Sequence, residues 1–515
     1  MTSTTARPSA RARQRGRASG ANNLEQKIMG VPARIMRPCL LLIAIAAGLT
    51  CFGLVMIYSA SSVEALSEQG DAAYYVKRQA LFIVIGLVFA AGVARVDYHK
   101  LCSQKGLAAM AVVIIAMLVA VRVAGSGANG ATRWLSVGPL RLQPSEFAKV
   151  FVLLAASGTA AEYFCERAID DVTFFKRLAA YVALPILLIL AQPDKGTCGI
   201  IVLLVFVLAY DAGFDRNILY RCILAIAALA LVVSLKDEYS RQRVLTMLNP
   251  WSDEWDSGYQ LTRGFMAFGS GGLTGVGFGM SRMKYSYLPE AHNDFVFAIV
   301  GEEFGLLGTL AVLAAFAVLA VQAFDVARNA SDYKGRLIAV GGVTLLLTQL
   351  FLNVFGVLGL FPLSGKPLPF ISYGGSSIMS CLMIVGAIVN VSLHSTLPET
   401  VHDRRRAAMA LSGDDEDTGV GEPRVHAAGA RRPAALPHAA AVPERPQREV
   451  SSTPLASASD ARRNLRVVDG GKRIDLGPDP ADRLRSSRGP EVRVGGTPRA
   501  DRGRRSQSGR RGRRE

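Results

Sequence analysis

Cysteine is sparse and unpaired in this sequence. The seven cysteines (Cys39, Cys51, Cys102, Cys165, Cys198, Cys222 and Cys381) are scattered, and none belongs to a CxxC pair. That spacing argues against a structural disulfide and a zinc site. A nucleotide loop is missing too: the glycine-rich stretch at 264–281, GFMAFGSGGLTGVGFGMS, lacks the GxxxxGK[ST] spacing. Charge is short where the chain is longest. Of the net +17 carried by 515 residues, the stretch 38–396 holds only +2, while residues 1–37 hold +7 and residues 397–515 hold +8. A near-neutral, strongly apolar centre is the composition of a membrane domain.

What is present there is a series of long hydrophobic runs. A helix needs roughly 17–25 apolar residues to cross about 30 Å of hydrocarbon. Ten such runs are expected, at about 38–58, 79–96, 106–123, 145–163, 178–193, 197–211, 218–235, 294–324, 337–360 and 378–395. The fifth and sixth are short and separated only by Pro193–Gly196, which suggests broken or tilted helices. The first follows a long basic arm without a clear cleavage site, so it is expected to be retained and not removed as a signal peptide. The fold class expected is an all-α polytopic membrane protein, with a large loop at 236–293 between the seventh and eighth helices.

Lys and Arg in short flanks set orientation. The basic N-terminal arm, Arg95, Lys100, Lys105, Arg167, Lys176, Arg177, Arg216, Arg221, Arg328, Lys334, Arg336 and Arg404–Arg406 fall on one side of ten spans. That side is expected to be the cytoplasm, with both termini inside and the 236–293 loop outside. Trp134, Trp251 and Trp255 then lie in outer loops, as an interfacial belt would. The tails, 1–37 and 397–515, are rich in Arg, Ala, Gly, Pro and Ser and are expected to be disordered, solvated and cytoplasmic. They suit contact with anionic lipid or protein; the acids Asp414–Asp417 argue against a nucleic-acid partner.

The outer face has more cations than the topology rule favours. Arg241, Arg243, Arg263, Arg282 and Lys284 lie in the large loop, and Arg133, Arg141, Lys195 and Lys366 in other outer loops. As a set they suit an anion, phosphate or pyrophosphate, against the plainer reading of snorkelling or pairing with Asp253, Glu254 and Asp256. Glu146 and Lys149 in PSEFAK share a helical face, as a site pair or a structural ion pair. Asp194 and Lys195 suit a structural turn. The glycine-rich stretch 264–281 suits a re-entrant or surface-lying segment close to a ligand. Pro369–Ser377, PFISYGGSS, opens the last span, and its Ser372, Gly374 and Gly375 offer either an anion-receiving helix start or a plain turn.

The most informative stretch is Leu288–Glu303, LPEAHNDFVFAIVGEE. It places Asp294 where a polar loop enters an apolar helix. Asp294 could cap that helix; it could equally face a substrate. Glu290 and His292 alternate with it; a solvated His292 is expected, with orienting Asp294 or binding phosphate as the other role. Glu302 and Glu303, deeper in the helix, are read as packing or pairing groups.

Seven motifs in order now carry a resemblance. GLVMIYSASS (53–62), GANGATRWLSVGPLRLQPSEFAK (127–149), QPDKGT (192–197), YSRQRVLTMLNPW (239–251), GYQLTRGFMAFGSGGLTGVGFG (258–279), LPEAHNDFVFAIVGEEFG (288–305) and LPFISYGGSS (368–377) resemble the SEDS family of cell-wall polymerases, the FtsW, RodA and SpoVE group. The first and fourth lean toward its cell-division branch; an elongation role is the alternative. Asn293 stands where Thr is common, and Lys366 where an apolar residue is expected. The resemblance implies ten helices and a peptidoglycan glycosyltransferase that polymerises lipid II at the outer face of the cytoplasmic membrane, at the division septum, releasing undecaprenyl pyrophosphate. It implies that Asp294 is catalytic; nearby cations are expected to keep its carboxylate ionised. Arg241, Arg243, Lys149 and Arg133 are the candidates for the pyrophosphate, and Glu146, His292, Glu290, Ser372, Gly374 and Gly375 for support. No cofactor is firmly implied; a divalent cation, Mg or Mn, would suit the leaving group. The partners implied are a class B penicillin-binding transpeptidase and other division proteins. A lipid II flippase and a non-enzymatic scaffold are the rival readings.

Overall fold

Each hydrophobic run becomes a helix. The computed structural model describes residues 27–28, 31–128, 131–137 and 140–395, and the pairs 468–469 and 472–473. The terminal tails expected to be disordered lie almost wholly outside the described residues. The first unit, residues 1–419, contains the spans; the second, 420–515, contributes only the ladder Val468–Asp469 with Lys472–Arg473.

The spans are α1 (Ala33–Gln69), α2 (Tyr74–Arg95), α3 (Gln104–Ala124), α4 (Pro144–Ala160), α5 (Asp171–Leu190), α6 (Lys195–Asp211) and α7 (Arg216–Lys236). In the large loop come α8 (Glu238–Leu248) and α9 (Tyr259–Gly271), followed by the spans α10 (Val296–Arg328), α11 (Tyr333–Val357) and α12 (Gly375–His394). Nine of the described helices are long and apolar enough to cross a membrane. Helix α6, expected as a span, has 17 residues, about 26 Å of helix, and is shorter than those nine. The all-α polytopic fold is therefore as expected. The fifth run belongs to a longer helix than expected: α5 has 20 residues with a π-helical turn at Ala179–Ala183, and a tight turn separates it from α6.

Aspartates start several helices. Asp194 accepts from the Thr197 N–H at α6, Asp215 from Asn217 and Ile218 at α7, Asp237 from Ser240 at α8, and Asp332 from Gly335 at α11. Each satisfies N–H groups that the first turn leaves without helical partners. Pro144 opens α4, where its missing N–H costs nothing. Helices α4, α11 and α12 have the largest buried shares among the apolar helices. Helix α2 lies against α12 through small residues; a Cβ on Gly386 would stand 2.6 Å from the Ala90 carbonyl oxygen. Such close approach is how membrane helices gain packing without a hydrophobic drive between them. A three-stranded antiparallel sheet, Ser126–Ala128, Ala131–Val137 and Leu140–Leu142, joins α3 to α4.

Helix α10 is broken. Gly305 has φ +66° and ψ −162°, which divides the helix into Val296–Phe304 and a longer second piece. A break inside a span strands backbone groups, each costing several kcal/mol in hydrocarbon (about 2–7). The glycine-rich loop repairs it. Val276 and Gly277 donate to the carbonyls of Glu302 and Glu303 at 3.0 and 3.1 Å, and Leu306 and Leu307 donate to the carbonyls of Gly272 and Leu273 at 2.9 and 3.1 Å. Only glycine fits here: a Cβ on Gly275 would lie 2.1 Å from the Glu303 carbonyl oxygen. The stretch 264–281 is thus not a single re-entrant segment. Its first part belongs to α9, and its glycines come close to the protein's own backbone.

Candidate active site

Asp294 sits one residue before the α10 N-cap, Phe295, and no side chain caps that helix. The capping role is therefore not the one Asp294 fills. Its carboxylate is partly buried and takes no hydrogen bond from a described residue. Its backbone is held instead. Asn353 of α11 donates from Nδ2 to the Asp294 carbonyl at 2.8 Å, and the same amide reaches the Lys366 carbonyl at 2.9 Å. The segment Leu363–Pro367 passes over the acid: Gly365 has φ +65°, and a Cβ there would stand 3.4 Å from Asp294 Oδ2.

Burial pushes the Asp294 carboxyl up to about 6, and the Glu290 carboxylate adds to the rise. Lys366, Arg243 and His292 pull the other way and are outweighed. Desolvation, which disfavours the charged form, outweighs the cations that favour it. At neutral pH the group is a carboxylate with enough basicity to accept a proton.

The other expected site residues divide by position. Arg243 of α8 donates to the Leu363 carbonyl and contributes to the field at Asp294. Glu290, at φ +55°, accepts from the Asn293 side chain and turns the chain into the site. His292 is buried, not solvated: its ring lies 4.5 Å from Tyr75 and 5.6 Å from Tyr373, with Nδ1 3.3 Å from Glu64 Oε2. Aromatic stacking and a carboxylate, both from distant segments, hold it there.

The remaining candidates have partners elsewhere. Arg241 is half exposed and binds both oxygens of Glu238 at 2.7 Å, one turn away on α8. Arg133 donates to the carbonyls of Gln192 and Pro193, fixing the sheet to the α5–α6 turn. Lys149 is 1% exposed, pairs with Glu146 at 2.7 Å and donates to Gln349 at 2.7 Å, while Ser380 donates to Glu146 at 3.0 Å. This is the structural ion pair of the two readings. At α12, the Ser372 hydroxyl accepts from the Leu368 N–H, the Gly374 N–H donates to Gln79, and Gly375 lies under the Phe82 ring. Protein groups thus hold the turn that leads into this helix. Glu302 and Glu303 are buried and accept from Ser281 and Ser59, each at 2.5 Å, in keeping with a pairing role.

Two participants were not singled out as site residues. Asn353 carried no signal in sequence, since a lone Asn in a span is ordinary. Lys366 did carry one, as a cation where an apolar residue was expected. It is 4% exposed and bonded to Asp194. Its charge acts on Asp294 although its ammonium does not bond to it.

Fold and site together define a polytopic membrane protein in which the Asp294 carboxyl, raised by burial, stands just before a broken helix. A family profile described as "Cell cycle protein", FTSW_RODA_SPOVE, matches residues 39–397. The chain is 38% identical over 367 residues, 70% of its length and 95% of the relative's, to the probable peptidoglycan glycosyltransferase FtsW of Geobacter metallireducens. It is 37% identical over 364 residues, 70% of its length and 98% of the relative's, to stage V sporulation protein E of Bacillus subtilis. Among solved structures, one that describes the coordination of polymerization and crosslinking by a peptidoglycan synthase complex matches with TM-score 0.57 at 27% identity, covering 69% of this chain and 97% of that one. Thermus thermophilus RodA, a rod shape determining protein, matches with TM-score 0.51 at 25% identity, covering 69% and 97%. This chain belongs to the FtsW, RodA and SpoVE family.

Proposed function

We propose that this chain is a peptidoglycan glycosyltransferase that polymerises lipid II, with Asp294 as the general base. The observation that carries the site assignment is the Asp294 carboxylate itself, raised to about 6, without a hydrogen-bond donor among the described residues, beside Arg243 and beneath Gly365. A hydroxyl of the acceptor sugar attacks the anomeric carbon of the donor. The new glycosidic bond forms as the donor's bond to diphosphate breaks, the electron pair leaves with undecaprenyl diphosphate, and the hydroxyl proton passes to Asp294. Arg243 is the cation placed to offset charge on the departing diphosphate. A cleft of about 260 Å³ lined by Gln242, Arg243, Thr246, Asp256, Ser257 and Gln260 gives room beside it.

Among the described residues no three His, Cys, Asp or Glu side chains gather to hold a metal ion. Asp294 and Glu290 alone do not make a cation cradle, so no step is routed through Mg or Mn. The buried Glu146–Lys149 pair is fully partnered, which suits helix packing better than a flippase path.

The similarity to a peptidoglycan synthase complex that couples polymerization to crosslinking supports a class B penicillin-binding transpeptidase as partner. Relatives named FtsW support a place among division proteins at the septum. Cytoplasmic termini and an outward-facing Asp294 follow from the Lys and Arg distribution.

The test is polymerisation of purified lipid II by full-length protein with its partner. Asp294→Asn is expected to lose roughly 10²–10⁴-fold in rate. Near-normal chain growth by the folded variant would remove Asp294 as base.

A further inference from the structure

We propose that Leu363–Pro367 is a strap that sets the position of the Asp294 carboxylate, and that Lys366, pinned from beneath by Asp194, is its positioning residue. The strap is tied at three of its five residues, Leu363, Lys366 and Pro367. The Leu363 carbonyl accepts from Arg243 of α8. The Lys366 carbonyl accepts from Asn353, whose amide also holds the Asp294 carbonyl. The Pro367 carbonyl accepts from Gln349 at 2.9 Å, and Gln349 in turn accepts from Lys149. The Lys366 ammonium turns down into the bundle, 2.8 Å from Asp194 Oδ1, and donates to the Thr197 hydroxyl at 2.5 Å.

Asp194 is built to receive it. Its carboxylate also accepts from Ser145, Gln143, the Thr197 hydroxyl and the Thr197 N–H. Burial disfavours its charge, yet Lys366 and these donors hold its carboxyl well below the usual range. Gly196 leaves space for the lysine stem, since a Cβ there would stand 2.8 Å from Lys366 Cε. A buried ion pair with its remaining valences satisfied is rigid. Its cost in desolvation is hard to explain as stability alone, and the strap it anchors ends over the reacting acid. Positioning to within about 0.5 Å is what a catalytic group requires.

The strap rests on the reading of Asp294 as base, and the two fail differently. If Asp294→Asn keeps polymerising, the base assignment falls. If Asp294→Asn is dead and Lys366→Met behaves as the unaltered protein, only the strap falls.

The experiment measures lipid II polymerisation by the full chain with its partner from pH 5 to 8. The charged groups that act on Asp294 are Glu290, Lys366, Arg243 and His292, and Lys366→Met alters one of them. Its expected result is at least a roughly tenfold fall in kcat with KM for lipid II within about twofold. The acid limb is expected to move up by roughly one pH unit, because a cation that favoured the carboxylate is gone. A merely structural lysine would lower the yield of folded protein and leave the limb where it was; that outcome, or unchanged kcat, overturns the proposal. The double variant Asp194→Asn with Lys366→Met removes both buried charges together and avoids stranding Asp194. It is expected to fold, with low kcat and the same raised limb; recovery of the original rate and limb overturns the strap. If neither folds, Thr197→Val removes one hydroxyl and no charge. A fall in kcat of about threefold supports the strap and unaltered kcat overturns it.

Discussion

At the scale of the residue, the chemistry is a contest at Asp294 between burial and charge. Its carboxyl rises to about 6 because desolvation and Glu290 outweigh Lys366, Arg243 and His292. Polymerisation that needs the carboxylate is therefore expected to fall below about pH 6, tenfold per unit in the limit, in a pH profile of kcat. Stability moves in the opposite sense. The folded state keeps the proton to higher pH than the unfolded chain, so this group's contribution is fully present below the ordinary carboxylate range and is lost as pH rises through about 6. Asp294→Asn should consequently raise thermal stability at pH 7–8, by about 1–2 kcal/mol after discounting for partial solvation. The gain should fade between about pH 6 and 4 in melting curves; a variant less stable than the original at pH 8 would contradict the assignment. Asp294 itself was legible, because an acid at the junction of a polar loop and an apolar run stands out. The burial of His292 was not, since Glu64, Tyr75 and Tyr373 come from distant segments.

At the scale of the element, α1 runs eleven residues past its expected end and α5 begins seven before its expected start. Hydrophobic run length nonetheless located the apolar helices, because crossing a bilayer is a local requirement on composition. The break in α10 was invisible for the same reason: the run continues through Gly305, and what stops the helix is the backbone of Gly272–Gly277 docking on it. Gly305→Ala puts a side chain at φ +66° and within 2.4 Å of the Gly275 nitrogen. It is expected to cost about 2–4 kcal/mol and to depress polymerisation, read by tryptophan-fluorescence melts and the lipid II assay. Gly269→Ala is the control. That glycine is exposed in α9 with nothing within 4 Å of its Cβ position, and alanine there should be neutral or stabilising by up to about 1 kcal/mol.

At the scale of the whole molecule, the buried Glu146–Lys149 pair of α4 is tied to α11 through Gln349 and to α12 through Ser380. Lys149→Met leaves Glu146 buried without its cation and is expected to cost about 3–5 kcal/mol. Adding Glu146→Gln should recover most of that in the same melting assay, because the pair contributes less than its breaking removes. Topology gives a second check. Ser257→Cys in the large loop should react with an impermeant maleimide in intact cells, and Ser331→Cys, between α10 and α11, only after permeabilisation. The reverse pattern would turn Asp294 inward and end the polymerase reading.

Composition alone determined that this is a membrane protein, where its apolar helices run, and which acid to examine, since each depends on short-range patterns of charge and apolarity. Only tertiary structure decided which cations serve that acid. Arg241 and Lys149 turn to carboxylates on their own helices, whereas Lys366 meets Asp194 across 172 residues. The physical reason is that an ion pair depends on separation in space, and the folding of the chain sets that separation.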